Sequence, residues 1–407
     1  MSEDKRKVAL ATSVDPDTNM SYGILMDYLA KSTQKKYRWN IIAEGYDYGK
    51  PVVHDYYTKW NSCKDIYERD TKMLPSVAAT IKPEFLFSLG DVQHYSNTKW
   101  FKPLNIPWIH WLPVDNHDLS HLRKVQYVIE GMDICVAMSK FGYDFCVSNG
   151  VKMDNWVYPF VPTNKFYKVS EKNNPKEYAK IKDFKEGTGL ADKKVLLYVG
   201  RPGWRKNLEF TFGLLNVLLK ERGRDDVVLY MHTDPDDPAS KMNIGKLLHA
   251  FRIPQNHFFM TRQFNWATGV KLNFINALYN ISYLYIGTHG GEGFGMPFAE
   301  AMSAKCPFVA TNCTTMPELA GENGERGLLA RTLEVHEDQG VQRPYVDIDD
   351  MADKVEKLLD DEKLRNKMGR AGRNWVVRNC DTPVVARKWE KIFDSISVNK
   401  AKVKGVQ

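Results

Sequence analysis

The chain has 407 residues, of which 43% are hydrophobic and 26% are charged, and its net charge is +7. That size allows two or three domains with full cores. The charge is too modest to indicate a nucleic-acid-binding protein, although it suits an anionic ligand. Six cysteines without a C-x-x-C pair argue against a disulfide scaffold or a zinc site. No apolar run reaches the ~20 residues of a membrane span, so a cytoplasmic protein is expected.

The first half of the chain alternates strand-like apolar runs with polar or helical segments. Residues 7–14 predict a buried first strand, residues 15–23 a polar loop and residues 24–30 a helix. Such alternation predicts a parallel sheet with crossover helices, whose loops after each strand meet at one ligand-binding edge. Ser139 is predicted to cap a helix. The later strands of this half are predicted at residues 39–43, 85–89, 108–112, 134–138 and 157–160.

A second alternating series follows a charged stretch. Residues 165–194 are rich in Lys, Glu, Asp and Asn, which indicates a linker with one surface helix. Strands are then predicted at residues 195–200, 227–232, 257–260, 283–287, 307–311 and 327–330. Helices are predicted at residues 207–221, 241–251, 272–279, 351–359, 362–377 and 384–396.

These patterns predict an α/β fold with two Rossmann-like, doubly wound parallel-sheet domains that face each other across a cleft. We predict an N-terminal domain over residues 1–170, a linker over 171–192 and a C-terminal domain over 193–383. The last helix, taken as residues 384–402, is expected to pack back on the N-terminal domain.

Residues 289–300, His-Gly-Gly-Glu-Gly-Phe-Gly-Met-Pro-Phe-Ala-Glu, are the most informative segment. They lie between a predicted strand and a predicted helix. A glycine-rich turn at a helix start binds anions, because backbone N–H groups and the helix dipole point at the ligand. Glu292 and Glu300 flank this turn and suit a ligand with hydroxyl groups. A sugar nucleotide has both an anion and hydroxyls.

A basic loop follows the first strand of the second series. It carries Arg201 and Lys206 in the sequence Gly200-Arg201-Pro202-Gly203-Trp204-Arg205-Lys206-Asn207. Two cations at a strand end can neutralise a diphosphate without a metal. The alternative is a solvated basic turn. The nearby carboxylate segment of the same predicted sheet favours phosphate binding.

Five segments of the second half, in this order, resemble the donor domain of retaining glycosyltransferases of family four, which have the GT-B fold. The pattern Glu-x7-Glu with Gly-Phe-Gly is the most specific of them. The resemblance covers roughly residues 193–396. The matching segments are residues 200–207, 278–282, 292–302, 307–311 and 317–319.

The resemblance implies a role for each matching residue. Arg201 and Lys206 would hold the donor diphosphate, and Glu292 would contact hydroxyls of the donor sugar. Glu300 would accept hydrogen bonds from the ribose, since a carboxylate accepts two bonds at once. Glu318 is a further donor-binding candidate, or only a charge at a helix N-terminus. The other donor-binding candidates are Gly293, Phe294, Gly295, Met296, His289 and, beside the base, Arg262.

The first half matches the family less well. Tyr22 and Gly23 stand where the family has a glycine-rich acceptor loop, and of its glycines only Gly23 remains. Asp91 follows the third predicted strand and is either a third acceptor-side residue or a loop cap.

The family has a functional His or Asp after the strand at residues 108–112. The candidates here are His110, Asp115 and His117. Strand alternation leaves His110 inside the strand, where a buried structural histidine is the alternative. Asp115 lies in a turn and is the favoured catalytic candidate.

Three other functions fit single features of the sequence. Two flanking carboxylates also occur in glycoside hydrolases, but a hydrolase needs no cations for its leaving group. Asp15-Pro16-Asp17 and Asp234-Pro235-Asp236-Asp237 contain a D-x-D pattern that binds metals in another fold, but proline indicates rigid turns. The glycines at residues 291–295 lack the dinucleotide spacing, so NAD binding is not expected.

We therefore expect retaining transfer of a hexose from a nucleoside-diphosphate sugar to a hydroxyl of a glycan, lipid or other acceptor. No metal or other cofactor is expected, and retention is implied by the resemblance alone. The alternatives are a sugar-nucleotide-binding subunit without transferase activity and a GT-B sugar-nucleotide epimerase. The basic run at residues 31–38 allows weak peripheral membrane contact, with a solvated helix end as the alternative.

Overall fold

Two parallel sheets form the framework of the protein in the computed structural model, which describes residues 6–18, 21–44, 50–63, 66–95, 101–237, 242–261, 269–338 and 340–404. The chain divides into two compact units. The first comprises the described residues of Met1–Val114, Leu119–Phe160 and Thr382–Gln407. The second comprises those of Asp115–Asp118 and Val161–Asp381.

The sheet of the first unit has eight strands. They are β1 (Lys7–Val14), β2 (Tyr37–Glu44), β3 (Val52–Val53), β4 (Tyr57–Cys63), β5 (Phe85–Leu89), β6 (Trp108–Leu112), β7 (Ile134–Ala137) and β8 (Asn155–Trp156). Their order is β3-β4-β2-β1-β5-β6-β7-β8, and every neighbouring pair is parallel except β3 and β4. The helices are α1 (Ser21–Thr33), α2 (Ile66–Glu68), α3 (Leu74–Ile81), α4 (Leu119–Ile129) and α5 (Lys140–Ser148), with a π-helical turn at Arg69–Met73.

Local sequence explains most of these elements. β5 and β6 are buried at every position, as expected for the centre of a parallel sheet covered on both faces. Ser139 caps α5, since its side chain accepts a hydrogen bond from the Gly142 N–H at 3.1 Å. The predicted strand at residues 157–160 does not form. β8 occupies Asn155–Trp156 instead, and Val157 adds one backbone hydrogen bond to Ala137.

The sheet of the second unit has six strands. They are β9 (Lys194–Val199), β10 (Val227–His232), β11 (Phe258–Met260), β12 (Leu284–Gly287), β13 (Phe308–Thr311) and β14 (Gly327–Ala330). Their order is β11-β10-β9-β12-β13-β14, and all pairs are parallel. The helices are α6 (Pro175–Gly187), α7 (Leu208–Lys220), α8 (Ile244–Ala250), α9 (Leu272–Ile281), α10 (Met296–Ser303), α11 (Met316–Ala320), α12 (Ile348–Asp360) and α13 (Glu362–Asn379). Residues 171–192, which were predicted to be a linker, therefore contain α6 and belong to the second unit.

An antiparallel hairpin of β15 (Thr332–Asp338) and β16 (Val341–Val346) follows β14. The sequence did not predict it. Most of β15 is exposed, including Leu333 and Val335, so its apolar residues do not mark one buried face.

The last helix, α14 (Thr382–Lys404), packs on the first unit. The rings of Phe393 and Phe85 stack at 4.8 Å, and Trp389 meets Phe87 edge to face at 5.1 Å. Burying each such side chain contributes about 1.5–3 kcal/mol. Lys36, from the basic run at residues 31–38, forms an ion pair with Glu390 of this helix at 3.0 Å. None of the helices in the described ranges is both long and apolar enough to cross a membrane.

Candidate functional site

Residues 289–300 join β12 to α10, and glycine sets the conformation of this turn. Gly295 caps α10 with φ +89°, a left-handed value that favours glycine. Thr315 Oγ1 donates hydrogen bonds to the carbonyls of Glu292 and Phe294 at 3.3 and 3.1 Å. The start of α10 is therefore held by a fixed turn. A helix start of this kind presents N–H groups that have no partner within the helix, which suits an anion.

The carboxylate of Glu292 lies beneath this turn and contacts two cations. Lys206 Nζ donates a hydrogen bond to Glu292 Oε1, and Arg205 Nη1 lies 3.1 Å from Oε2. Glu292 is buried. Although burial alone would raise its pKa, Arg205 and Lys206 hold the pKa of Glu292 well below its usual range. Glu292 is therefore a fixed negative charge.

Lys206 loses its proton more easily than Arg205 does. Burial, and next the charge of Arg205, lower the pKa of Lys206 to about 8, although Glu292 opposes the shift. Two cations share one buried carboxylate, so the proton of the lysine is the easier one to lose. An additional anion at this point would stabilise the charged lysine.

His289 borders the same carboxylate. Its Nδ1 lies 3.1 Å from Glu292 Oε1, but the two are not aligned for a hydrogen bond, and neither ring nitrogen has a hydrogen-bond partner among the described residues. Burial, and next the charge of Lys206, keep the pKa of His289 well below its usual value. His289 is therefore neutral here.

The structure places Asp115 in this network. Its carboxylate Oδ2 lies 3.7 Å from Arg205 Nε and 3.2 Å from Arg343 Nη2. Burial alone would raise the pKa of Asp115, but Arg205 and Arg343 lower it below its usual value. One cluster thus joins three cations, Arg205, Lys206 and Arg343, to two carboxylates, Glu292 and Asp115.

Arg201, the other predicted diphosphate ligand, has a carboxylate partner. Its Nε and Nη2 donate to the two oxygens of Asp237 at 2.5 and 2.7 Å. Asp237 ends the second D-x-D segment, where Asp234 accepts a hydrogen bond from the Asp236 N–H at 3.0 Å and forms a turn. Asp237 therefore orients the guanidinium, whose side chain remains 48% exposed.

Glu300, on α10, is the second flanking carboxylate. It accepts a hydrogen bond from Tyr279 Oη at 2.8 Å. Burial raises the pKa of Glu300 to about 7. Its carboxyl group therefore changes charge in the neutral range, whereas Glu292 does not.

The remaining donor-side candidates differ in how accessible they are. Gly293 and Phe294 are buried, while Met296 at the start of α10 is partly exposed. Glu318 lies in the first turn of α11 and is partly exposed, and its carbonyl accepts a hydrogen bond from Arg326 Nη2 at 2.8 Å. Arg262 lies outside the described residues.

The acceptor-side candidates lie together in the first unit. Tyr22 Oη donates a hydrogen bond to Asp91 Oδ1 at 3.3 Å. A Cβ on Gly23 would lie 2.4 Å from the carbonyl oxygen of Asp15, so this glycine is needed for a close approach between α1 and the preceding loop. Asp15 and Asp17 of the first D-x-D segment both contact Lys59 Nζ, so a protein cation occupies the space between them.

His110 has the surroundings of a structural histidine. It is fully buried on β6, and its Nδ1 lies 2.7 Å from Ser88 Oγ. Burial lowers its pKa to about 3. His117 is exposed on the turn after β6. Of the three candidates that follow or end this strand, only Asp115 is brought to the cluster around Glu292.

Sequence reasoning missed two members of that cluster. Arg205 was part of the basic loop but received no role, and its contacts with Glu292 and with the Gly291 carbonyl at 2.7 Å depend on tertiary structure. Arg343 lies on β16, far from any recognised segment. No local signal in the sequence distinguishes it from a surface arginine.

The chain matches known proteins in its second unit and in its fold. Residues 180–375 match the family of group 1 glycosyl transferases. An alpha-D-kanosaminyltransferase from Streptomyces kanamyceticus is 26% identical over 190 residues, which are 47% of this chain and 42% of the relative. The chain spans about half the length of the curated relatives that it matches.

Solved structures are similar along nearly the whole chain. Sucrose-phosphate synthase from Thermosynechococcus elongatus has a TM-score of 0.76 at 14% identity, over 97% of this chain and 100% of that one. The Anabaena protein HepE, in complex with UDP and glucose, has a TM-score of 0.71 at 13% identity, over 96% and 100% of the two chains. The predicted fold class is thereby confirmed as GT-B, and residues 180–375 resemble the group 1 glycosyl transferases.

Proposed function

We propose that this protein transfers a hexose from a nucleoside-diphosphate sugar to an acceptor hydroxyl, with retention at the anomeric carbon and without a metal. The observation that carries the proposal is the meeting of two cations, Arg205 and Lys206, at the buried carboxylate of Glu292, next to the start of α10. Cations gathered beside a helix start favour an anionic ligand, and a diphosphate is the anion that a sugar donor supplies.

The carboxylates suit the rest of the donor. Glu292, kept ionised by its cations, accepts hydrogen bonds from hydroxyls of the sugar. Glu300, the fifth residue of α10, accepts from the ribose diol. The Anabaena HepE structure contains UDP and glucose, which fits a donor of this class.

The reaction needs no covalent nucleophile. The acceptor oxygen attacks the anomeric carbon on the face that the leaving group departs from, and the bond from that carbon to the phosphate oxygen breaks. The acceptor proton passes to the departing phosphate oxygen. Lys206, Arg205 and the start of α10 stabilise the negative charge that develops on the diphosphate.

The test uses the purified full chain. A thermal-shift panel of UDP-, GDP- and ADP-sugars identifies the donor, since a ligand that binds only the folded state raises the melting temperature. Nucleoside diphosphate release with glycan, lipid and small-molecule acceptors then measures transfer, and NMR of the product gives its anomeric configuration. Binding without turnover would indicate a binding subunit, and donor conversion without an acceptor would indicate an epimerase.

A further inference from the structure

The hairpin β15–β16 contacts the turn Asp115–Asp118 at both ends of that turn. Arg343 Nη1 donates a hydrogen bond to the carbonyl oxygen of Asp115 at 2.8 Å, and Nη2 lies 3.2 Å from its carboxylate. The backbone N–H of Gln342 donates to Asp118 Oδ2 at 3.0 Å. One arginine thus fixes both the main chain and the side chain of Asp115.

The glycine-rich turn supports the same arrangement from the other side. A Cβ on Gly291 would lie 2.0 Å from the Asp115 carbonyl oxygen and 2.6 Å from Arg343 Nη1. A Cβ on Gly290 would lie 3.0 Å from Arg343 Cβ. The main chain of Asp115 and the side chain of Arg343 therefore pack against glycine backbone with no room for a side chain, which fixes the position of the Asp115 main chain.

We propose that Arg343 is a positioning residue that holds the carboxylate of Asp115 against Arg205, beside Glu292. The inference rests on the proposed transferase function and adds a hairpin residue to its machinery. Held in this place, Asp115 accepts a hydrogen bond from a sugar hydroxyl and orients it for the reaction. Arg343 acts through Asp115, because its Nη1 and Nη2 both donate to that residue, and the role needs no contact with the substrate.

Charge supports this assignment. Arg343 is 6% exposed and carries its positive charge into the cluster. Arg205 donates to the Gly291 carbonyl and contacts Glu292, whereas the Asp115 carbonyl accepts its hydrogen bond from Arg343. Only the planar fork of an arginine reaches a carbonyl and a carboxylate with two parallel donors, so lysine would restore part of the arrangement.

The first experiment compares Arg343→Ala and Arg343→Lys with Gln342→Ala. Gln342 is a matched control on the same strand, since its side chain is exposed and its contact to Asp118 uses the backbone N–H. We expect Arg343→Ala to lower kcat about 10- to 100-fold at nearly unchanged donor KM. We expect Arg343→Lys to recover part of the loss and Gln342→Ala to match the wild type. An unchanged kcat in Arg343→Ala, or equal losses in it and in Gln342→Ala, would overturn the proposal.

The second experiment asks whether Arg343 acts through Asp115. If it does, Asp115→Asn combined with Arg343→Ala loses no more kcat than the worse single variant, whereas multiplied losses would contradict the inference. Hydrogen exchange of peptides covering residues 113–120 gives a readout that needs no activity. Arg343→Ala should speed exchange there while the nucleotide-induced thermal shift stays intact. Unchanged exchange would overturn the positioning role, and a wild type that binds but never transfers sugar would overturn the proposed function instead.

Discussion

Lys206 and Glu292 form a buried ion pair in the second unit, and Arg205 shares the same carboxylate. The two partners respond differently to their surroundings. The lowered pKa of Glu292 keeps its carboxylate ionised, whereas the lowered pKa of Lys206, about 8, makes the lysine easier to deprotonate. Arg205 alone can therefore balance the charge of Glu292, even when Lys206 is neutral. Lys206 is therefore available to an incoming anion without leaving a buried charge uncompensated.

Nucleotide binding should therefore weaken as the pH rises through about 8. Above this value the free protein loses the Lys206 proton that the diphosphate requires. About a tenth of Lys206 keeps its proton at pH 9, so the Kd there should be about 10-fold weaker than at pH 7. Calorimetric titration of the nucleoside diphosphate from pH 7 to 9 measures it, and Lys206→Arg should remove the dependence. A constant Kd in the wild type would refute the role of Lys206.

Removal of the lysine should reduce turnover much more than stability. Lys206→Ala leaves Glu292 paired with Arg205, so we expect a folded protein whose turnover falls by about 10²- to 10³-fold. Lys220→Ala, at an exposed lysine that ends α7, is the control. Steady-state kinetics and a melting curve of each variant distinguish lost chemistry from lost folding. A variant with near-wild-type turnover would contradict the assignment.

The sequence predicted the elements whose residues carry a local pattern. β1, β5, β6, β10 and β14 begin and end where the apolar runs do. Residues 289–300 were recognised from glycine and helix-start chemistry alone. Asp115 was a candidate because the resembling family has a functional His or Asp after this strand, and its place in a turn favoured it over His110.

What the sequence could not predict depends on tertiary contacts. β4 has the polar sequence Tyr-Thr-Lys-Trp-Asn-Ser-Cys and joins the sheet beside β2, with the charge of the buried Lys59 balanced by Asp15 and Asp17. Arg343 is buried only because the hairpin lies against Asp115 and the glycine turn. No periodicity along the chain encodes either arrangement.

Ionisation of Glu300 should make the folded protein less stable as the pH rises. Burial raises its folded-state pKa from 4.5 to about 7, so the folded state holds this proton longer than the unfolded state does. The contribution to stability is fully present below pH 4.5 and is lost as the pH rises through about 7. Glu300→Gln should then be about 1–2 kcal/mol more stable than the wild type at pH 8 and nearly equal at pH 4.5. Denaturant unfolding at the two pH values measures this, and a Gln variant that is less stable at pH 8 would contradict it.

Gly291 should tolerate no side chain, whereas Gly203, on the basic loop, should accept one. In Gly291→Ala the new Cβ would lie 2.0 Å from the Asp115 carbonyl oxygen, which is backbone and cannot rotate away. We expect a loss of about 1–3 kcal/mol of stability, together with lower kcat because Asp115 is displaced from Arg205. In Gly203→Ala the Cβ meets no atom within 4 Å, and φ is −75°.

Gly203→Ala is therefore a matched control on the basic loop, and it should retain wild-type melting temperature and kinetics. The nucleotide-induced thermal shift separates the two halves of the site, because Lys206 and the start of α10 do not depend on the Asp115 turn. Gly291→Ala should still be stabilised by the nucleoside diphosphate while its kcat falls. If Gly291→Ala instead keeps both its stability and its kcat, the close packing of the Asp115 turn on the glycines is not needed for folding or turnover.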